Sequence, residues 1–156
     1  MSKIILGDKK LAEKAPKQIQ PEEKSQTLTP IVLTFEYKNT GMHGFNDTIL
    51  ISFRTRKVIS SKLRLSKSGR HGTRIYTLLP ARYIMYEAYR SNLGNTYISI
   101  RVVQLKEDGT LETLNQWQLY ERKEQKMQIS QLPEKIREIL MANKDNLPLF
   151  YYVMPE

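Results

Sequence analysis

The sequence predicts an α+β protein made of two tandem units, each an antiparallel sheet followed by one helix: strand-strand-strand-strand-helix, twice. Three observations lead there. Apolar and polar residues alternate with period two along successive short stretches from Ile31 to Tyr120, the pattern of half-buried strands. Asp108-Gly109 supplies the left-handed residue that a tight hairpin needs. Leu132-Pro133 repeats Leu79-Pro80 at a distance of 53 residues, and each pair closes a run of strands and opens a helical pattern ending near an asparagine.

Residues 1–29 read as a flexible arm. From Ala12 to Pro30 the chain is rich in Lys, Glu, Gln and Pro without apolar periodicity, so it has little to bury against the entropy of ordering. Residues 30–146 form the domain, divided into units 30–93 and 94–146. The first strand begins at Ile31, with Ile31, Leu33, Phe35 and Tyr37 on one face. Gly41-Met42-His43-Gly44 is a loop. Thr48–Val58 is the second strand, with Ile49, Ile51 and Phe53 opposite Leu50, Ser52, Arg54 and Arg56. Lys62–Lys67 is the third, and Ser68-Gly69-Arg70-His71-Gly72 turns into the fourth, Arg74–Leu78. Pro80–Asn92 is favoured as a helix with proline in its first turn. The alternation of Ile84, Tyr86 and Ala88 with Tyr83, Met85 and Tyr89 leaves a strand open there. Asn95–Leu105 and Leu111–Arg122 form a hairpin, Lys126–Ser130 a short strand, and Leu132–Asn143 a helix with Ile136, Ile139 and Leu140 on its apolar face. Residues 147–156 form an aromatic tail that docks on this chain or on a second subunit, which favours a dimer.

Charge sharpens the functional reading. From Thr48 to Tyr86 there is no acid, while Arg54, Arg56, Lys57, Lys62, Arg64, Lys67, Arg70, Arg74 and Arg82 fall within that stretch. These nine cations equal the whole net charge of +9. A localised excess of this kind is the footprint of a polyanion-binding surface. There is no cysteine, which excludes disulfides, thiolate zinc sites and cysteine nucleophiles. No apolar run approaches the length of a membrane span, and the apolar start is too short for a secretory signal, so a cytoplasmic protein without membrane contact is expected.

The repeated sheet-then-helix order of residues 31–144 resembles the Whirly proteins and their relatives, the positive-cofactor-four coactivators, kinetoplastid guide-RNA-binding proteins and Pur-type domains. That resemblance implies single-stranded nucleic acid lying across a sheet.

Strand periodicity independently gives a candidate surface. With the apolar faces turned inward, Arg54 and Arg56, Lys62 and Arg64, Arg74 and Tyr76, and Tyr97 and Arg101 fall on the opposite faces. Lys57, Lys67 and Arg70 flank them in loops. Cations meet phosphates and flat rings stack on unpaired bases, so the set Arg54, Arg56, Lys57, Lys62, Arg64, Lys67, Arg70, Arg74, Tyr76, Tyr97 and Arg101 reads as a single-stranded DNA or RNA site, with DNA favoured and a role in replication, repair or transcription. No helix-turn-helix, zinc-finger or basic-zipper pattern points to a duplex. No catalytic role is expected: His43 and His71 stand alone, no acidic cluster lies in the basic region to hold metals, and no nucleotide-binding glycine motif occurs, so no cofactor is expected. The second reading is an assembly factor whose basic face meets an acidic protein.

Overall fold

A computed structural model describes residues 28–41, 44–121 and 128–154. The chain divides into two units at Pro30 and Ile31. Nearly all of the expected arm, with Met42 and His43 of the first loop, lies outside the described residues.

The tandem units are not found. Instead, seven strands form one antiparallel sheet and the described residues contain one α-helix. The strands are β1 (Ile31–Asn39), β2 (Phe45–Ser52), β3 (Lys62–Leu65), β4 (His71–Leu78), β5 (Ala81–Arg90), β6 (Thr96–Leu105) and β7 (Leu111–Tyr120), and the helix is α1 (Glu134–Ala142). The order across the sheet is β3-β4-β1-β2-β5-β6-β7.

The decisive difference is β5, expected as a helix. Tyr83, Ile84, Met85 and Tyr86 are buried in succession, because β5 is covered on both faces. A strand buried on both sides reads as an apolar run rather than an alternation, and such a run also suits a helix. The two Leu-Pro pairs therefore do different work: Pro80 ends one strand just before another, while Pro133 caps α1. The expected strand at Lys126–Ser130 is a 3-10 turn over Ile129–Gln131 where it is described.

The sheet folds over itself. Only Leu79 and Pro80 join β4 to β5, so Leu78 and Ala81 are three Cα steps apart, at most about 11 Å. In a flat sheet β4 and β5 would be three strand spacings apart, about 14 Å. The register shows how the gap closes. β1 pairs with β4 from Ile31↔Leu78 to Lys38↔His71, but with β2 only at Lys38↔Asn46 and Asn39↔Phe45. Beyond that joint β1 leaves β2 and carries β4 across one face of the β2-β5-β6 layer. Ile31, Leu33 and Phe35 of β1, with Tyr76 and Leu78 of β4, then pack on Leu50, Tyr83, Met85, Val103 and Leu105.

The other face of β2-β5-β6 holds the larger core. Ile49, Ile51, Ile84, Tyr86, Ile98, Ile100 and Leu119 pack beneath Ile136, Ile139 and Leu140 of α1. The aromatic tail completes it. Leu149 takes a left-handed φ of 63° and redirects the chain, so that Phe150 meets the Tyr86 ring edge-on at 6.0 Å and the Tyr86 hydroxyl donates to the Pro148 carbonyl at 2.7 Å. The tail thus docks on its own chain through Leu147, Phe150 and Val153, and Tyr151 remains exposed. No helix among the described residues is long and apolar enough to cross a membrane.

Candidate nucleic-acid interface

The exposed cations sit on the edge strand β3 and the loops on either side of it. Lys62 and Arg64 project from β3, Lys67 and Arg70 from the β3–β4 turn, and all four are exposed. Gly72 lets that hairpin close, since a Cβ there would collide with the Arg64 carbonyl oxygen.

Arg54, Arg56 and Lys57 are also exposed, but not on a strand: β2 ends at Ser52 and they form the connection to β3. This connection is fixed. The amide of Arg56 donates to the Ser52 carbonyl at 2.8 Å, and Arg56 takes a left-handed φ of 63°. Buried Asn143, at the end of α1, holds it from beneath. Its Oδ1 accepts from the Val58 amide at 3.3 Å, and its Nδ2 donates to the carbonyls of Arg56 at 3.0 Å and Ile139 at 2.7 Å. Two further cations gather over the Phe53 ring, Lys135 Nζ at 4.6 Å from the centroid and the Arg82 guanidinium at 5.8 Å. Lys135 lies far away in sequence, which is why the charge pattern does not reveal it.

Tyr76 is buried and Arg74 is half-buried, so neither stands free on the surface. Their face of β4 turns into the fold, opposite to the sequence expectation. Arg74 grips Asp47 in a two-point ion pair, Nε–Oδ1 2.7 Å and Nη2–Oδ2 2.8 Å, and its Nη1 donates to Ser61 Oγ at 2.8 Å. The side chains of Arg74 and Asp47 are 17% and 5% exposed. The hydrogen bond to Asp47 raises the Arg74 pKa above its ordinary value, against the opposing effect of burial.

Tyr76 is 0% exposed and has no face for a base. Its hydroxyl accepts from the Leu50 amide at 3.0 Å and donates to the Thr48 carbonyl at 3.0 Å. These are the β2 groups left without a strand partner where β1 departs, so a phenol stands in for the missing strand. Burial pushes the Tyr76 hydroxyl above its ordinary pKa.

Tyr97 and Arg101 do share a partly exposed face of β6. Arg101 already has a partner there: its Nη2 meets Glu87 Oε1 at 2.9 Å. Tyr97 stands in an aromatic row, 5.9 Å from the Tyr89 ring on β5 and 5.0 Å edge-on from Tyr120 on β7. Tyr89 is 48% exposed. The helical expectation for residues 80–92 concealed it, whereas in a strand its register with Tyr97 follows directly. Beside the row is a cavity of about 390 Å³ lined by Tyr89, Ser91, Tyr97, Ile98, Ser99 and Gln118.

The register joins this row to the basic turn. His71 pairs with Lys38, Lys38 with Asn46, Asn46 with Tyr89, Tyr89 with Tyr97 and Tyr97 with Tyr120. Paired residues share a face, so these six side chains form one line across six strands, roughly 24 Å along the twisted sheet. Lys62 and Arg64 stand on the same face, because their partners Ile75 and Thr73 alternate in step with His71. Glu36 and Glu87 also lie on it, and Glu87 is held by Arg101. Among the described residues no group of three or more His, Asp or Glu is arranged to hold a metal ion.

No protein-family model matches the chain, and no curated protein matches it. Among solved structures, the crystal structure of a variant of ORF157 from Acidianus filamentous virus 1 is similar at a TM-score of 0.47 and 19% sequence identity, over 72% of this chain and 76% of that one.

Proposed function

We propose that this chain binds single-stranded nucleic acid, DNA in the first instance, along the face that runs from the β3–β4 turn to Tyr120. The observation that carries the reading is the register line itself: His71 and Lys38 at one end, Tyr89, Tyr97 and Tyr120 at the other, with Lys62, Arg64, Lys67 and Arg70 beside the basic end. Phosphates engage the cations and unpaired bases lie on the tyrosines, which gives affinity without dependence on sequence. Arg54, Arg56 and Lys57 form a second cationic cluster for the strand leaving the site. Arg74 and Tyr76 are removed from the interface, and Arg101 acts by holding Glu87 away from the phosphates. The role is binding, not catalysis.

The test is fluorescence anisotropy with matched single- and double-stranded DNA and RNA over a range of salt. Single strands are expected to bind more tightly than duplex. Replacing Lys62, Arg64 and Arg70 together with alanine should flatten the dependence of log affinity on log salt by about 2, from about 0.7 for each lost phosphate contact. The control triple Lys10, Lys14 and Lys17 to alanine removes equal charge from the N-terminal region and should leave the slope unchanged. Equal effects of both triples, or duplex binding as tight as single-strand binding, would refute the assignment. Salt-insensitive binding to an acidic protein with no oligonucleotide shift would favour the assembly reading.

A further inference from the structure

We propose that the cavity beside Tyr97 is a base subsite selecting a ring with two carbonyls, thymine or uracil, over one that presents an amine. The proposal rests on the binding reading above and names what that face prefers.

Besides the two tyrosines, Ser91, Ser99 and Gln118 line the cavity, and in each the protein itself engages an acceptor. Ser91 Oγ accepts from the amides of Leu93 at 3.3 Å and Asn95 at 3.2 Å. Ser99 Oγ accepts from Gln116 Nε2 at 3.2 Å. Gln118 Oε1 accepts from the Tyr120 hydroxyl at 2.8 Å, which fixes the amide with its NH₂ turned the other way. Ser91 Oγ has both lone pairs engaged, while Ser99 Oγ and Gln118 Oε1 keep one each, so the balance of what the three have left to offer is donors: two hydroxyl and two amide hydrogens against two lone pairs. No ionised side chain is among the lining residues, so the recognition is of neutral acceptors rather than of a phosphate.

The remaining wall is Tyr89, Tyr97 and Ile98. Tyr89 and Tyr97 are tilted by 35° to each other and present ring surface to the cavity. A flat ring whose edge carries only carbonyl acceptors and one ring N–H suits such a lining. Thymine and uracil carry carbonyls at both O2 and O4. Cytosine replaces O4 with an amine, which the donor-rich serine and glutamine lining serves less well than a carbonyl, and adenine has no carbonyl. An unmatched pair of this kind leaves polar groups unsatisfied, and discrimination arises from that loss as much as from the bonds gained.

Oligothymidylate and oligocytidylate of equal length provide the test, because both are flexible pyrimidine strands. Their affinities for the full chain are measured by anisotropy at one salt concentration, for the wild type and for Gln118→Leu and Ser99→Ala, with circular dichroism to verify folding. Gln118 is exposed, so its replacement leaves the core intact. The wild type should favour thymidylate by about fivefold or more, the worth of one net hydrogen bond. Gln118→Leu should bring the ratio close to one by weakening thymidylate alone, and Ser99→Ala should move it in the same direction. A wild-type ratio near one, or a ratio that survives in both variants, overturns the subsite and leaves general binding standing. Failure of the wild type to bind either strand overturns the binding reading and this proposal together.

Discussion

Replacing Tyr76 with phenylalanine separates a surface role from a structural one. Phenylalanine keeps the ring and its edge-on contact with Phe35 at 6.0 Å, and removes only the hydroxyl. That oxygen serves the Leu50 amide and the Thr48 carbonyl, both inside the fold. Neither has a strand partner on that side, because β1 has already left β2. A buried polar group deprived of its partner costs about 1–3 kcal/mol, so the pair is worth about 2–4 kcal/mol after partial relaxation. At about 2–4 °C per kcal/mol for a chain of this size, the melting temperature should fall by roughly 5–15 °C. Equilibrium urea unfolding reads the same quantity as a lower midpoint at unchanged slope. Oligonucleotide affinity at a temperature where both proteins are folded should not change. A stability loss below about 1 kcal/mol would mean that the phenol does not replace the missing strand. A stable variant with weakened oligonucleotide binding would return Tyr76 to the interface.

Three other outcomes are expected. Burial raises the phenol pKa values of Tyr76, Tyr83 and Tyr86. A raised native pKa gives stability that is complete below the unfolded value of about 10 and lost above it, so the unfolding free energy should be level from pH 7 to 9 and then fall, by up to about 1.4 kcal/mol per pH unit for the deeply buried Tyr86 and by less for the other two; a decline beginning well below pH 9 would contradict this. Truncation after Asn146 removes Leu147, Phe150 and Val153 from the core, at about 1.5–3 kcal/mol for each large side chain, and should leave a chain that unfolds at low urea or fails to fold; an unchanged midpoint would show that the tail is dispensable. Asn143→Ala breaks the ties to Arg56, Val58 and Ile139 and should cost about 1–3 kcal/mol while speeding amide exchange at Val58, with an unaltered exchange rate as the contrary result.

The elements most legible in the sequence are those with one wet face. β1 and the β6–β7 hairpin follow from alternation and from Asp108-Gly109, and α1 from its spaced Ile136, Ile139 and Leu140. β5 was obscured because both of its faces are buried, and its misreading as a helix created the apparent repeat. Exposed cations on loops and on a short edge strand remain where charge patterning places them, since nothing packs over them. Strand periodicity turns Arg74 and Tyr76 outward, because their polar heads stand opposite Ile75 on the alternating strand. Inside, Asp47 compensates one, and the open edge of β2 gives the other both of its hydrogen bonds. Partners of that kind are set by where β1 leaves β2, a property of the folded sheet that no local pattern records.

The fold-over also orders the assembly of the chain in time. β5, β6 and β7 are a meander of neighbours in sequence, joined by short turns, and such hairpins form early because little loop entropy opposes them. β2 must find β5 across the intervening β3 and β4, with Phe45 pairing to Arg90 and Ile51 to Ile84. The β1-β4-β3 flap can settle only when that layer exists to receive it, and the Tyr76 hydroxyl can engage Thr48 and Leu50 only at that moment. Refolding should therefore show protection of Ile98 and Ile100 amides before those of Leu33 and Phe35, with the basic edge of the molecule the last part to take shape.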